Sequence, residues 1–252
     1  MLKIIASETV KENGQRAAEV VTELLRSKPT AVLGLATGSS PIEMYTELAR
    51  MCDKGEISFK NVKSVNLDEY VGLSPEHDQS YAYFMRNNLF DKVDIDLKNT
   101  NLPNGLAEDP VAECKRYDAV VESMGGIDLQ VLGIGLNGHI GFNEPADEFT
   151  EGTGLVELTQ STIDANSRFF ADKSLVPTKA FSMGVGQIMS ADKILLIATG
   201  TAKAQILEKA LFGEVTPRVP ASVLQTAKDV VVCADRAALS VILEKHPECV
   251  KF

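Results

Sequence analysis

Four side chains suited to acid–base or hydrogen-bond chemistry, Asn137, His139, Asn143 and Glu144, fall within the stretch VLGIGLNGHIGFNEP, residues 131–145. An imidazole exchanges protons near neutral pH. A carboxylate five positions along can orient it or work beside it. Gly133, Gly135, Gly138 and Gly141 let the backbone turn and approach a ligand, since they carry no Cβ. Taken alone the pattern stays open. GIGLNG lacks the full dinucleotide fingerprint, and a single histidine, one of three in the chain, serves as readily as a structural group.

Four further places carry candidate chemistry. Thr37, Gly38, Ser39 and Ser40 in TGSSP present hydroxyls and backbone N–H groups ahead of Pro41, which suits a helix start. Such a loop is either an anion nest or an ordinary N-cap. Asp68, in NLDEY, stands where an apolar strand over 62–67 ends, a position equally natural for a solvated acid. Arg168 falls in a helix expected over 160–172, and Lys203 at the start of one running to Phe212; both types are ordinary on a solvated surface.

The elements that must position these groups alternate. Apolar runs at 2–6, 31–36, 62–67, 127–134, 193–198 and 229–234 read as strands, with a short one at LVELT, 155–159. Between them lie helical patterns, the first capped by Ser7, others over 80–90, 109–124 and 236–243. This predicts an α/β chain: a Rossmann-like, modified doubly wound, mainly parallel sheet flanked by helices on both faces. Ligands in such sheets bind beyond the carboxyl ends of the strands, where TGSSP, Asp68 and the 131–145 stretch all fall. With no linker or repeat, residues 1–252 read as a single domain.

Composition sets bounds. A net charge of −10 and a pI near 4.9 argue against a nucleic-acid partner but leave room for a small anion held locally. No apolar stretch approaches the roughly 20 residues of a membrane span, and the N-terminus reads as neither signal nor transit peptide. The four scattered cysteines lack metal spacing and fit reduced thiols in the cytoplasm.

GLNGHIGFNEP, NLDEYVGL at 66–73, LATGSSP at 35–41 and ANSRFF at 165–170, in that order, resemble the glucosamine-6-phosphate deaminase family, over about Leu33 to Gln225. The resemblance implies conversion of glucosamine 6-phosphate to fructose 6-phosphate and ammonia, with no cofactor and no metal. It implies ring opening by His139 with Glu144 fixing its tautomer, and Asp68 as the base moving a proton from C2 to C1. Thr37, Gly38, Ser39, Ser40, Arg168 and Lys203 would hold the sugar phosphate.

Two departures matter. Many family members carry aspartate where this chain has Asn137, so Asn137 is expected to support the site rather than act as acid or base. Hexameric members activated by N-acetylglucosamine 6-phosphate carry basic residues just after GHIGFNEP. Here DEFTEGTGLVELT has Asp147, Glu148, Glu151 and Glu157 and no Lys or Arg, so carboxylates would repel a phosphate. A monomer or small homo-oligomer acting on a small sugar phosphate is expected. The alternatives are a 6-phosphogluconolactonase-like hydrolase, against which NLDEY and FNEP argue, and a non-catalytic sugar-phosphate sensor, which need not retain Asp68, His139 and Glu144 together.

Overall fold

The computed structural model describes residues 2–251, excepting the side chains of Ala165 and Phe169. In chain order come β1 (Leu2–Ser7), α1 (Val10–Ser27), β2 (Val32–Leu35), α2 (Ile42–Asp53), β3 (Lys63–Asn66) and β4 (Asp68–Tyr70). Next are α3 (Tyr81–Asn88), β5 (Thr100–Asn101), α4 (Pro110–Ser123), β6 (Leu129–Leu132), β7 (Gly154–Glu157) and α5 (Gln160–Asn166). The chain continues through β8 (Lys179–Ser182), α6 (Val185–Met189), β9 (Lys193–Ala198) and α7 (Ala204–Phe212). It closes with β10 (Val230–Asp235), α8 (Ser240–Lys245) and β11 (Val250–Lys251).

Eight strands form one parallel sheet in the order β11-β1-β10-β9-β6-β2-β3-β5, with helices on both faces. The central strands are buried along their whole length, which is why they read as continuous apolar runs rather than alternating ones. From β2 the chain builds outward through β3 and β5, then returns to the other side of β2 as β6 and builds away through β9 and β10. The reversal between β2 and β6 is a topological switch point, where a crevice opens beyond the strand ends.

A second, antiparallel sheet joins three strands in the order β4-β8-β7; of these only β7 coincides with an expected strand, the short one at LVELT. Its strands have three or four residues, too short for alternation to declare itself. Asp68 therefore does not terminate the β3 strand. The chain leaves the main sheet at Leu67, and Asp68 opens β4 paired with Ser182. Other expectations shift locally. Thr9, not Ser7, caps α1, its hydroxyl accepting from Glu12 N at 3.1 Å. Pro41 occupies the N-cap of α2 rather than its first turn. The helix expected over 160–172 stops at Asn166, so Arg168 sits on a following 3-10 turn, Ser167–Phe169. The last helix starts at Ser240 rather than at 236, the intervening residues turning instead.

All four cysteines are unpaired. No helix among the described residues is long and apolar enough to cross a membrane.

Candidate active site

At the switch point lies a cleft of about 860 Å³. Its walls include Thr37, Gly38, Ser39 and Ser40 beyond β2, Asp68 beyond β3, Asn137 and His139 beyond β6, Arg168 after α5, and Lys203 beyond β9. Glu144 stands behind His139 rather than on the cleft wall. The candidates drawn from five separate stretches of sequence thus converge, four of them because parallel strands deliver their carboxyl ends to one edge.

The 133–145 turn fixes the histidine first. An ideal Cβ on Gly135 would lie 2.3 Å from His139 Cε1, so only glycine lets the imidazole rest on the backbone there. Gly135 N also donates to His139 O at 2.9 Å. Behind the ring, His139 Nδ1 faces Glu144 Oε2 at 3.5 Å, an ion-pair distance rather than a closed hydrogen bond. Asn137 Nδ2 donates to the same Oε2 at 2.6 Å, and Asn137 Oδ1 accepts from His139 N at 3.2 Å. An amide can make that donation and an aspartate could not. Oε1 of Glu144 accepts from Thr162 Oγ1 and lies 3.2 Å from Thr159 Oγ1. Burial opposes ionisation of Glu144, but the adjacent His139 imidazole, the Thr162 hydroxyl and the Asn137 amide outweigh it and hold the carboxyl at about 2. It is an anion at any working pH.

Asp68 has the opposite setting. It is 6% exposed, and among the described residues no donor hydrogen-bonds to its carboxylate. Burial, with a smaller contribution from the charge of Glu69, pushes it up to about 8. Neighbouring phenols turn their hydroxyls elsewhere: Tyr45 donates to Ala36 O and Tyr117 to Asn66 O, each at 2.6 Å. Glu69, the adjacent acid, faces away and accepts from the backbone N–H groups of Tyr70, Tyr81 and Ala82 at the start of α3. Two carboxyl groups in one site, one held below and the other raised above the usual carboxylate range, are the arrangement expected of distinct acid–base roles.

Lys203 and Arg168 supply positive charge on the cleft wall. Lys203 Nζ donates to Ile134 O at 2.6 Å, and burial together with the charge of Arg168 lowers its pKa. Two cations that disfavour one another when the cleft is empty are suited to sharing an anion. Among the described residues no group of three or more His, Cys, Asp and Glu is arranged to hold a metal ion.

Sequence reasoning did not select Tyr81, which lines the cleft and packs against Tyr70 and Phe142, nor Asn166, which also lines it and donates to Tyr70 Oη at 2.9 Å. Thr162 was missed as well. A threonine in the first turn of a helix carries no sequence signal of a partner eighteen residues away.

The family described as glucosamine-6-phosphate isomerases/6-phosphogluconolactonase matches this chain over residues 6–233. A glucosamine-6-phosphate deaminase of Lachnoclostridium phytofermentans is 53% identical over 231 residues, covering 92% of this chain and 98% of that one. One from Clostridium perfringens is 49% identical over 241 residues, covering 96% of this chain and all of its own length. The solved structure of a monomeric glucosamine-6-phosphate deaminase superposes with a TM-score of 0.92 at 43% identity, covering 95% of this chain and 99% of that one. A 6-phosphogluconolactonase from Thermotoga maritima shares the fold at a TM-score of 0.73 and 17% identity, covering 93% of this chain and all of that one. The chain belongs to the family of glucosamine-6-phosphate isomerases and 6-phosphogluconolactonases.

Proposed function

We infer that this protein is a glucosamine-6-phosphate deaminase, converting glucosamine 6-phosphate and water to fructose 6-phosphate and ammonia, in the cytoplasm and within a single domain. It acts on a free sugar phosphate, with no nucleic-acid partner and no cofactor, as a monomer or small homo-oligomer. The carrying observation is the convergence of Asp68 and His139 on one cleft that also holds Arg168 and Lys203.

The steps follow from the groups present. Arg168 and Lys203, with the 37–40 loop, bind the phosphate and so fix C1 and C2 against the acid–base groups. With Nδ1 turned to Glu144, His139 meets the cleft through Nε2. It takes the proton of the anomeric hydroxyl and returns one to the ring oxygen, and the Glu144 anion stabilises the imidazolium between. Asp68, in its ionised form, then removes the proton from C2, giving an enolamine, and delivers it to C1. The resulting C2 iminium adds water and expels ammonia. An aspartate at about 8 is a stronger base than a solvated one by about four powers of ten, which suits removal of a proton from carbon.

The lactonase reading is not favoured: ester hydrolysis needs no base for a carbon-bound proton. Incubation with glucosamine 6-phosphate and no added cofactor is expected to release ammonia and fructose 6-phosphate in equal amounts. Hydrolysis of 6-phosphogluconolactone without deamination would overturn the assignment.

A further inference from the structure

The segment that carries Arg168 also reaches the partner of the histidine. The two oxygens of Glu144 face different parts of the molecule. Oε2 faces His139 and accepts from Asn137, both on the turn after β6, whereas Oε1 faces the first turn of α5. Thr162 is 6% exposed and its Oγ1 donates to Oε1. Thr159 Oγ1 lies 3.1 Å from Thr162 Oγ1, placed to donate to it. Thr159 Oγ1 also stands 3.2 Å from Glu144 Oε1 and 3.0 Å from Ser161 Oγ, but a hydroxyl has one proton to give, and the closer donor to Oε1 is Thr162. At its other end the same segment is tied to the Asp68 strand through Asn166 and Tyr70.

We propose that Thr162 is a positioning residue for ring opening: its hydroxyl holds Glu144 so that Oε2 stays directed at His139. Because Thr162 and Arg168 ride on one short segment, a phosphate held by Arg168 steadies the same contact. Substrate binding thereby reinforces the dyad that opens the ring. The inference rests on the deaminase reading, and it assigns to Thr162, which lines the cleft, a role exerted through Glu144.

The test compares Thr162→Val, Thr162→Ala and Thr162→Ser with wild type, using glucosamine 6-phosphate and its C2-deuterated form. Loss of a hydrogen bond to a charged group corresponds to about tenfold at the lower end of its usual range. Thr162→Val, which keeps the shape, is expected to lower kcat about tenfold with KM within twofold, and Thr162→Ser to restore kcat to within twofold. The C2 deuterium isotope effect on kcat in Thr162→Val is expected to be no larger than in wild type, because the impaired step precedes proton transfer from carbon. Should Thr162→Val fail to fold, the Ser and Ala pair isolates the hydroxyl, with Ala expected about tenfold below Ser. Equal kcat in all four proteins, Ser as impaired as Val or Ala, or a larger isotope effect would each overturn the positioning role. A wild type that releases no ammonia refutes the proposed function itself, a result distinct from an active wild type that Thr162→Val matches.

Discussion

Replacing Asp68 with asparagine should make the protein inactive and, at alkaline pH, more stable. The fold raises this carboxyl from 3.8 to about 8. A raised carboxylate pKa means that the folded protein holds a proton that the unfolded chain has released. Stability attributable to Asp68 therefore falls as pH rises from about 4 to about 8, then levels. At about 1.4 kcal/mol per pH unit, wild type loses about 4 kcal/mol between pH 5 and pH 9 that Asp68→Asn does not. Burying the amide without a partner costs about 1–3 kcal/mol, but equally at both pH values, so it cancels in the comparison. Glu69, raised by burial to about 7 against its backbone hydrogen bonds, adds a pH dependence of the same sign to both proteins. Urea unfolding of each at pH 5 and pH 9 measures the double difference. Asp68→Asn should gain on wild type by a few kcal/mol across that interval. A difference that does not change with pH would refute the claim that Asp68 is a desolvated acid kept at the expense of stability.

Arg168→Ala and Lys203→Ala should each raise KM about 10- to 100-fold, since each removes a charge-assisted hydrogen bond of about 1.5–3 kcal/mol; unchanged KM in both would move the phosphate elsewhere. Gly135→Ala should lower kcat by more than tenfold at nearly unchanged KM, because its Cβ would lie 2.3 Å from the His139 ring; a wild-type rate would show that the ring position is not critical. N-acetylglucosamine 6-phosphate should leave the substrate saturation curve unaltered, given the acidic run from Asp147 to Glu157. A sigmoidal curve made hyperbolic by that ligand would contradict this.

Most of the parallel sheet was legible because its strands are buried on both faces and read as apolar runs. The 131–145 turn was legible because its chemistry is compressed into a few residues after such a run. The small antiparallel sheet was not, since β4 is Asp-Glu-Tyr, a sequence whose polarity suggests a loop. Both its acids are buried, Asp68 on the cleft wall and Glu69 against the backbone N–H groups at the start of α3. Ser182, which pairs with Asp68 and whose hydroxyl accepts from Phe142 N at 3.0 Å across forty residues of sequence, was equally invisible. Arg168 was found through its motif rather than through helical periodicity, and the early end of α5 at Asn166 shows why periodicity alone misplaced it. Thr162 required the fold, because α5 and the turn after β6 meet only in three dimensions.

The central claim is a division of labour, with Asp68 moving the carbon-bound proton and His139 opening the ring. Solvent-deuterium exchange at C1 of fructose 6-phosphate, followed in the reverse direction with ammonia present, reads the first step apart from the second. Asp68→Asn is expected to abolish exchange, while His139→Gln retains part of it, through the open-chain ketose, despite poor net turnover. Exchange by Asp68→Asn at the wild-type rate would contradict the account.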